Sequence, residues 1–297
     1  MAKVICCGQI VMDHSFVVDE IENPPSKVTA KRYHAGVGGM SAHAAIAVAR
    51  LGGEVVFWGR VGDDAAGEAL TTAMAAEGVN IDGLKRFDGA RTPLSAVIID
   101  KRGERSIVTY RGDHLSVDTG WLPLDALDGA GAVLCDPRWQ AGTAAVFKAA
   151  RARGVPSVLD AEKSEMRVLL DLVPLVDHAI FAAPGLRIFA GVKEAPEGLR
   201  RALASGPLKL AAVTRGEDGT LWMEPGQDKP RTIPAFRVTA TNTTGAGDVF
   251  HGAFALAIAE GMAMEVALRF ASAAGALRAR DGETPDRAAV KAMLSDG

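Results

Sequence analysis

The chain has little cysteine: three residues in 297, at Cys6, Cys7 and Cys135. All three sit in apolar, strand-like runs with no paired spacing and no histidine cluster near them. That excludes a disulfide framework and a Cys-rich metal site, and predicts buried, reduced thiols in a cytoplasmic protein. Long apolar runs are also missing, and nothing approaches the roughly 20 residues of a membrane span. The opening Met-Ala-Lys-Val-Ile-Cys-Cys is too quickly interrupted to read as a signal peptide. An excess of basic charge is absent as well: 33 Lys and Arg face 36 Asp and Glu, for a net charge of -3. A dedicated nucleic-acid binder is not expected from that balance. No internal repeat and no low-complexity linker appears.

What is present is ordinary for a soluble globular protein: 48% hydrophobic and 23% charged residues. Short apolar segments alternate with helical patterns over the second half of the chain. Strands are predicted at Ala132–Cys135, Ser157–Asp160, His178–Phe181 and Leu210–Thr214, and helices at Ala144–Arg153 and Pro196–Ala204. Such alternation means an α/β fold with a parallel sheet covered on both faces. Leu221–Met223 and Arg231–Ile233 read as a late antiparallel hairpin, followed by helices over Val249–Glu260 and Met264–Arg278. In the first half, Val4–Cys7 and Val55–Arg60 read as strands. Ala42–Leu51, with Ser41 as N-cap, and Ala65–Glu77 read as helices. Strands at Ser15–Ile21 and Val28–Tyr33, punctuated by Pro24-Pro25, and a hairpin of Leu94–Asp100 with Ser106–Tyr110, do not fit the alternation. They predict a small sheet set apart as a lid over the strand ends, from about 14–34 and 92–112.

The chemistry concentrates in Asn242-Thr243-Thr244-Gly245-Ala246-Gly247-Asp248, directly before an apolar helix. A Gly-Ala-Gly turn leaves consecutive N–H groups unobstructed, and the helix dipole adds positive potential at the same spot. That makes an anion cradle, above all for phosphate. Asp248 stands at its rim, where a base that activates a hydroxyl is needed. Other candidates read both ways on their residues alone. Gly36-Val-Gly-Gly39 enters a helix and is either a close-approach site or a plain turn. Asp13 is either a sugar-binding carboxylate after the first strand or a turn residue. Val213-Thr-Arg-Gly-Glu-Asp-Gly219 either shapes a nucleotide pocket or closes a hairpin. Arg138 follows a strand and offers the fork that pairs with phosphate, sulfonate or carboxylate, unless it is a solvated surface charge.

Taken together these residues resemble the ribokinase-like (PfkB) sugar kinase family over nearly the whole chain. The likeness rests on Asp13, Gly38 and Gly39, Ala49-Arg-Leu-Gly52, Gly59-Arg-Val-Gly-Asp-Asp64 with Gly67, Thr214–Gly219, and Thr-Thr-Gly-Ala-Gly-Asp248. It implies a doubly wound, mostly parallel sheet flanked by helices, with a small β-sheet lid, as one domain over 1–297. It further implies Asp248 as the base and Gly245, Ala246 and Gly247 as the anion hole. Asp13, Lys27, Gly38, Gly39 and His43 would hold the sugar. Thr214, Gly216, Gly219, Thr244 and Gly247 would hold ATP, with Mg²⁺ bridging the phosphates. A homodimer through the lid is implied too. Within the family, stretches such as Gly8-Gln-Ile-Val-Met-Asp13, Arg138-Trp139 and Asp248-Val-Phe-His-Gly252 are similar to kinases of 6-deoxy-6-sulfofructose. That would put Arg138, and a lid residue near Thr109, around an anionic end of the substrate. Kinases of ribose, fructose, 2-keto-3-deoxygluconate or adenosine, and a catalytically weak ligand-binding member, are the alternatives. Three departures stand out. His43 replaces a sugar-binding Asn. Asn242 replaces the Asp that opens the signature, which weakens a monovalent-cation (K⁺) site there. Ala182–Gly185 replaces an Asn-x-x-Glu segment.

Overall fold

The computed structural model describes residues 1–21 and 27–296. Nearly every strand of its large sheet is apolar on both sides. In β1 (Lys3–Cys7), Val4 and Cys6 face one core while Ile5 and Cys7 face the other. This continuous apolar run is what a parallel strand under helices on both faces requires. Among the described residues the parallel part of the sheet runs β11 (Leu210–Thr214), β10 (His178–Ala182), β9 (Ser157–Ala161), β8 (Ala132–Cys135), β1, β4 (Glu54–Gly62) and β5 (Asn80–Phe87). The antiparallel strands β12 (Thr220–Met223) and β13 (Arg231–Ile233) extend it past β11. On one face lie α1 (Met40–Arg50), α2 (Ala65–Ala76), α7 (Ala246–Ala259), α8 (Met264–Asp281) and α9 (Arg287–Asp296). On the other lie α3 (Gln140–Arg153), α4 (Met166–Leu172), α5 (Ala183–Ala190) and α6 (Ala195–Ala204).

The chain leaves β1 toward β4 and β5 on one side, and later builds β8 to β11 on the other. The order reverses at β1 and β8, and a crevice opens outside their C-terminal ends, where α/β folds bind ligands. A second, four-stranded sheet ordered β3 (Arg32–Gly38), β2 (Val11–Val17), β6 (Leu94–Ile99) and β7 (Arg105–Tyr110) stands apart from the first. It is tied down by Asp64, which caps α2 through Gly67 and also accepts from the N–H and Oγ1 of Thr92. The Gly-Asp-Asp64 stretch is thus a structural knot.

Several boundaries differ from the sequence reading. β2 starts at Val11, so Asp13 lies inside a strand and not in a turn after the first one. β3 is Arg32–Gly38 and not Val28–Tyr33, because Gly36 and Gly38 pair with Asp13 and Val11 in the ladder. The glycine run is therefore strand, with only Gly39 as the entry to α1. Ser41 is not an N-cap: α1 begins at Met40, and the Ser41 hydroxyl donates to the Cys7 carbonyl (3.1 Å). Pro24-Pro25 lies outside the described residues. The thiols are buried as expected, and burial pushes those of Cys6 and Cys135 upward.

α7 is apolar all round and buried from Val249 to Ala257, as a central helix must be. Its approach to α1 requires Gly252: a β-carbon there would lie 2.4 Å from the Ala44 carbonyl oxygen. Gly252→Ala is expected to destabilise the fold by about 1–3 kcal/mol, the usual range for overpacking. Urea unfolding would register this as a lower midpoint at unchanged slope.

Candidate active site

The crevice is built by strand ends. Its floor is Gly8-Gln9 after β1, Asp136 after β8, Glu162 after β9 and Thr214 at the end of β11. Asp136 is fully buried and accepts from three backbone amides: Gln9 (3.0 Å), Ser41 (3.2 Å) and Arg138 (2.8 Å). One carboxylate thereby fixes the β1 end, the first turn of α1 and the position of Arg138. The sequence reading does not find it. The available signal is an Asp directly after a four-residue apolar strand.

The Asn242–Asp248 stretch folds as a loop entering α7. Gly245 is the N-cap, with φ 76°, and Ala246, Gly247 and Asp248 form the first turn. Amides of a first turn have no acceptor within their own helix, so this end can receive an anion. Asp248 is half-buried beside three further carboxylates: Asp160, Glu162 and Asp136. Loss of hydration and then the charge of Asp160 hold its carboxyl well above the usual range, while His251 opposes the shift. His251, one turn on, is buried. Its Nδ1 faces the Gly247 carbonyl (2.7 Å) and Asp160 Oδ2 (3.3 Å), and its Nε2 faces the Ile180 carbonyl (3.3 Å). Burial keeps this imidazole below its ordinary value. It braces the turn from which Asp248 projects.

Beside α7 a cleft of about 750 Å³ is lined by Thr214, Gly216, Gly219, Phe236, Ala246, Gly247 and Gly275, among others. That volume is in the range of sites for nucleotide-sized ligands. Thr243 lines it; Thr244 does not, and its Oγ1 is buried without a partner among the described residues. On the small sheet, Asp13, Ser95 and Thr109 stand opposite one another in one row and therefore on one face. Asp13 is half-buried, and burial raises its carboxyl while Ser95 opposes that. Gly38 packs so closely on Asp13 that a β-carbon would lie 2.3 Å from its carboxylate, and Gly39 abuts the Gln9 carbonyl. His43, on α1, is half-buried, and burial, then the nearby Arg278 charge, pushes its pKa down to about 4.

A second cavity of about 70 Å³ is lined by Gly8, Gln9, Arg60, Pro93, Arg111, Leu115 and Arg138. Thr109 is exposed and does not line it; Arg111, two residues on, does. Arg60 is another residue that sequence reasoning misses. It lies 4.3 Å over the Trp139 ring, donates to the Ser116 carbonyl (2.7 Å), and burial pushes its pKa down to about 10, so it stays charged near neutrality. Lys27 is exposed and lines none of these cavities.

Among the described residues no group of three or more His, Cys, Asp or Glu could hold a metal on its own. A cation brought in on a nucleotide fits better, since Mg²⁺ typically uses one or two carboxylates plus phosphates. Asp248 and Glu162 are the carboxylates available to it. The departure at 182–185 has a steric cause: a β-carbon on Gly185 would lie 2.2 Å from the Ala161 carbonyl oxygen, so no glutamate fits there.

Residues 1–287 match the model of the pfkB family carbohydrate kinases. A ribokinase of Bacillus subtilis is 30% identical over 99% of this chain and 100% of its own length. A crystal structure of a putative ribokinase from Agrobacterium tumefaciens superposes with a TM-score of 0.94 at 33% identity, over 99% of this chain and 98% of that one. An Arabidopsis thaliana ribokinase solved with ribose and ATP gives 0.86 at 26% identity, over 99% of both chains. The chain belongs to the pfkB family; it has the ribokinase-like fold and is an ATP-dependent carbohydrate kinase.

The raised carboxyl of Asp248 has a sign that can be checked. Its folded-state pKa lies above the unfolded value, so stability falls as pH rises from the unfolded pKa of about 3.9 through the folded one, and the penalty vanishes only below that window. Asp248→Asn is expected to melt higher than wild type at pH 8 and about equally near pH 3. Equal melting at both would mean that the carboxyl is not shifted.

Proposed function

We propose that the enzyme transfers the γ-phosphoryl group of ATP to a primary hydroxyl of a ketose with an anionic group at its far end, 6-deoxy-6-sulfofructose being the leading candidate. The observation that carries this is the convergence of Arg60, Arg111 and Arg138 on one small cavity beside Gly8 and Gln9. At about 70 Å³ the cavity is far smaller than the roughly 300–1,000 Å³ of pockets for whole drug-sized ligands, a size that suits one anionic end group. Arg60 is half-buried there and Arg111 and Arg138 are exposed, so the cavity offers positive charge at an opening that an arriving anion can reach.

Asp13 and the Gly38–Gly39 backbone hold the sugar hydroxyls. Asp248 takes the proton from the attacking hydroxyl, and that oxygen forms its bond to the γ-phosphorus. The bond to the β–γ bridging oxygen breaks, and ADP leaves. The amides at Gly245–Gly247 receive the phosphoryl charge. The cleft at Thr214, Gly216 and Gly219 takes the nucleotide. Magnesium bound to its phosphates would neutralise their charge, with Glu162 and Asp248 facing it. The small sheet acts as the lid that excludes water. The sheet's other face exposes Tyr33 (58%) and Val108 (68%) beside Phe16 and Ile98, which supports a homodimer through the lid. Val108→Glu is expected to shift light scattering from dimer to monomer.

The names of the ribokinase and fructokinase relatives favour a second reading, a neutral sugar. An ADP-release screen with sulfofructose, fructose 6-phosphate, fructose, ribose, 2-keto-3-deoxygluconate and adenosine separates the two. On the first reading the anionic ketoses win, and Arg138→Ala raises their KM by about 10–100-fold, the loss of one charge-assisted contact of roughly 1.5–3 kcal/mol. It leaves neutral sugars unchanged. On the second, ribose or fructose wins and Arg138→Ala changes little. Asp248→Asn should lose turnover in either case.

A further inference from the structure

The entrance to α7 is crowded by two guanidinium groups that the reaction as described leaves without work. Arg278, on α8, lies beside Gly245: a β-carbon on that glycine would sit 3.4 Å from Arg278 Nε and 3.6 Å from Nη2. A β-carbon on Gly282 would sit 4.0 Å from its Nη1 and 3.8 Å from the Asn242 Cβ. The guanidinium therefore fills the space between Asn242, Gly245 and Gly282. Its Nε and Nη1 are buried and find no hydrogen-bond partner among the described residues. Arg105 reaches the same loop from β7 of the small sheet. Its Nη2 donates to Asn242 Oδ1 (3.1 Å) and Thr243 Oγ1 (3.3 Å), and its Nε is likewise buried without a partner. Burial lowers the pKa of both arginines; at Arg278 the charges of Arg105 and Arg50 act in the same direction, and Glu283 and Asp248 oppose them. Two cations held close together, with donors unused, call for an anion that the resting protein does not supply.

A monovalent cation does not fit the same place. Asn242 Oδ1 is already taken by Arg105 and by the Thr244 amide (3.0 Å). The Ala279 carbonyl accepts from the amides of Thr241 (2.9 Å) and Asn242 (3.1 Å), the Arg280 carbonyl from the Thr241 hydroxyl (2.7 Å), and the Arg278 carbonyl from Gly282 (2.9 Å). These oxygens already accept hydrogen bonds, and a guanidinium stands among them where a cation would have to sit.

We propose that Arg278, seconded by Arg105, is the built-in cation of the phosphoryl cradle and makes the enzyme independent of potassium. Arg278 is a positioning residue: its charge lies behind the Gly245 turn and strengthens the field at the amides that receive the transferred phosphoryl group. Arg105 brings a second charge from the lid strand. This rests on the assignment of the Gly245–Gly247 turn as the phosphoryl site.

The test compares wild-type enzyme in potassium, sodium and tetramethylammonium chloride at equal ionic strength, reading turnover, ADP affinity by calorimetry and the melting temperature. Turnover and ADP affinity are expected to differ by less than about twofold between salts, and the melting temperature to stay the same. Potassium activation of about tenfold or more, or ADP binding that tightens to that degree in potassium, overturns the proposal. Arg278→Ala is expected to lower kcat by about 10²-fold, the usual loss for one preorganised electrostatic contact to a developing oxyanion, with little change in sugar KM. Added guanidinium should restore part of it, and Arg278→Lys should retain more than Arg278→Ala. Unchanged kcat in a folded Arg278→Ala overturns the proposal. Should that variant fail to fold, the wild-type salt series and Arg278→Lys still decide. If no sugar proves to be a substrate, the cation series on ADP affinity still reads Arg278, so failure of this inference is distinguishable from failure of the substrate reading.

Discussion

The structure depends on one buried carboxylate. Asp136 is desolvated, which raises its pKa, yet it accepts amide donors from Gln9, Ser41 and Arg138 and a carboxylate so served stays in place. The three donors belong to three elements that meet only at the crevice. Removing the side chain would leave three amides unsatisfied at once, and buried donors of that kind cost about 1–3 kcal/mol each. More than stability is at stake. Gln9 lies on the floor of the arginine-lined cavity, Ser41 follows the glycines that abut Asp13 and Gln9, and Arg138 is the candidate anion reader. Substrate geometry is thus set by a residue that need not touch substrate.

Charge around that knot is separated by position. The carboxylates of Asp136, Asp160, Glu162 and Asp248 gather along the ends of β8 and β9 and the start of α7, where Glu162 and Asp136 raise the pKa of Asp160, and these three raise that of Asp248. Arginines flank them on two sides: Arg60, Arg111 and Arg138 at the small cavity, Arg105 and Arg278 behind the Gly245 turn. Such an arrangement suits a base that must ionise beside a site for anions. The carboxylate cluster keeps the proton affinity of Asp248 high, and the arginines lie where phosphate or sulfonate charge would arrive. A uniformly positive site would acidify the base, and a uniformly negative one would reject the nucleotide.

Much of this was legible in the chain. The alternation of apolar segments from Ala132 to Thr214 identified the parallel sheet because each of those strands is buried on both faces and bounded by helices. The Gly-Ala-Gly-Asp stretch stood out because its backbone demands are local. What failed to show has a common cause. β2 and β3 carry Asp13, His14, Ser15, Gly36 and Gly38 in the ladder, a polar and glycine-rich pattern that no strand rule favours, since pairing between β2 and β3 and with β6 decides it. β5 was missed because its residues alternate weakly, and α4 and α5 because they are two turns long. Asp136 acts through Gln9 and Ser41, Arg60 through Ser116 and Trp139, and Arg278 beside Gly245, all on other elements of the fold, and no local pattern records such partners.

The small sheet also bears on how binding and chemistry are connected. Asp13 and Arg105 project from the same face, since Asp13 pairs with Ser95, Val17 with Ile99, and Ile99 with Arg105 in unbroken ladders. A hydrogen-bonded sheet of this kind moves as a plate more readily than it shears, because sliding one strand by a residue would turn every side chain to the wrong face. Any tilt that brings Asp13 to the sugar therefore carries Arg105 toward or away from Asn242 and Thr243. The far face, with Phe16, Tyr33, Ile98 and Val108, is apolar and would resist being wetted by such a tilt unless it is covered. On the reading proposed above, in which Asp13 holds the sugar, a plate with Asp13 near one end and Arg105 near the other would link the charge beside the Gly245 turn to the presence of sugar, the condition under which ATP should be cleaved.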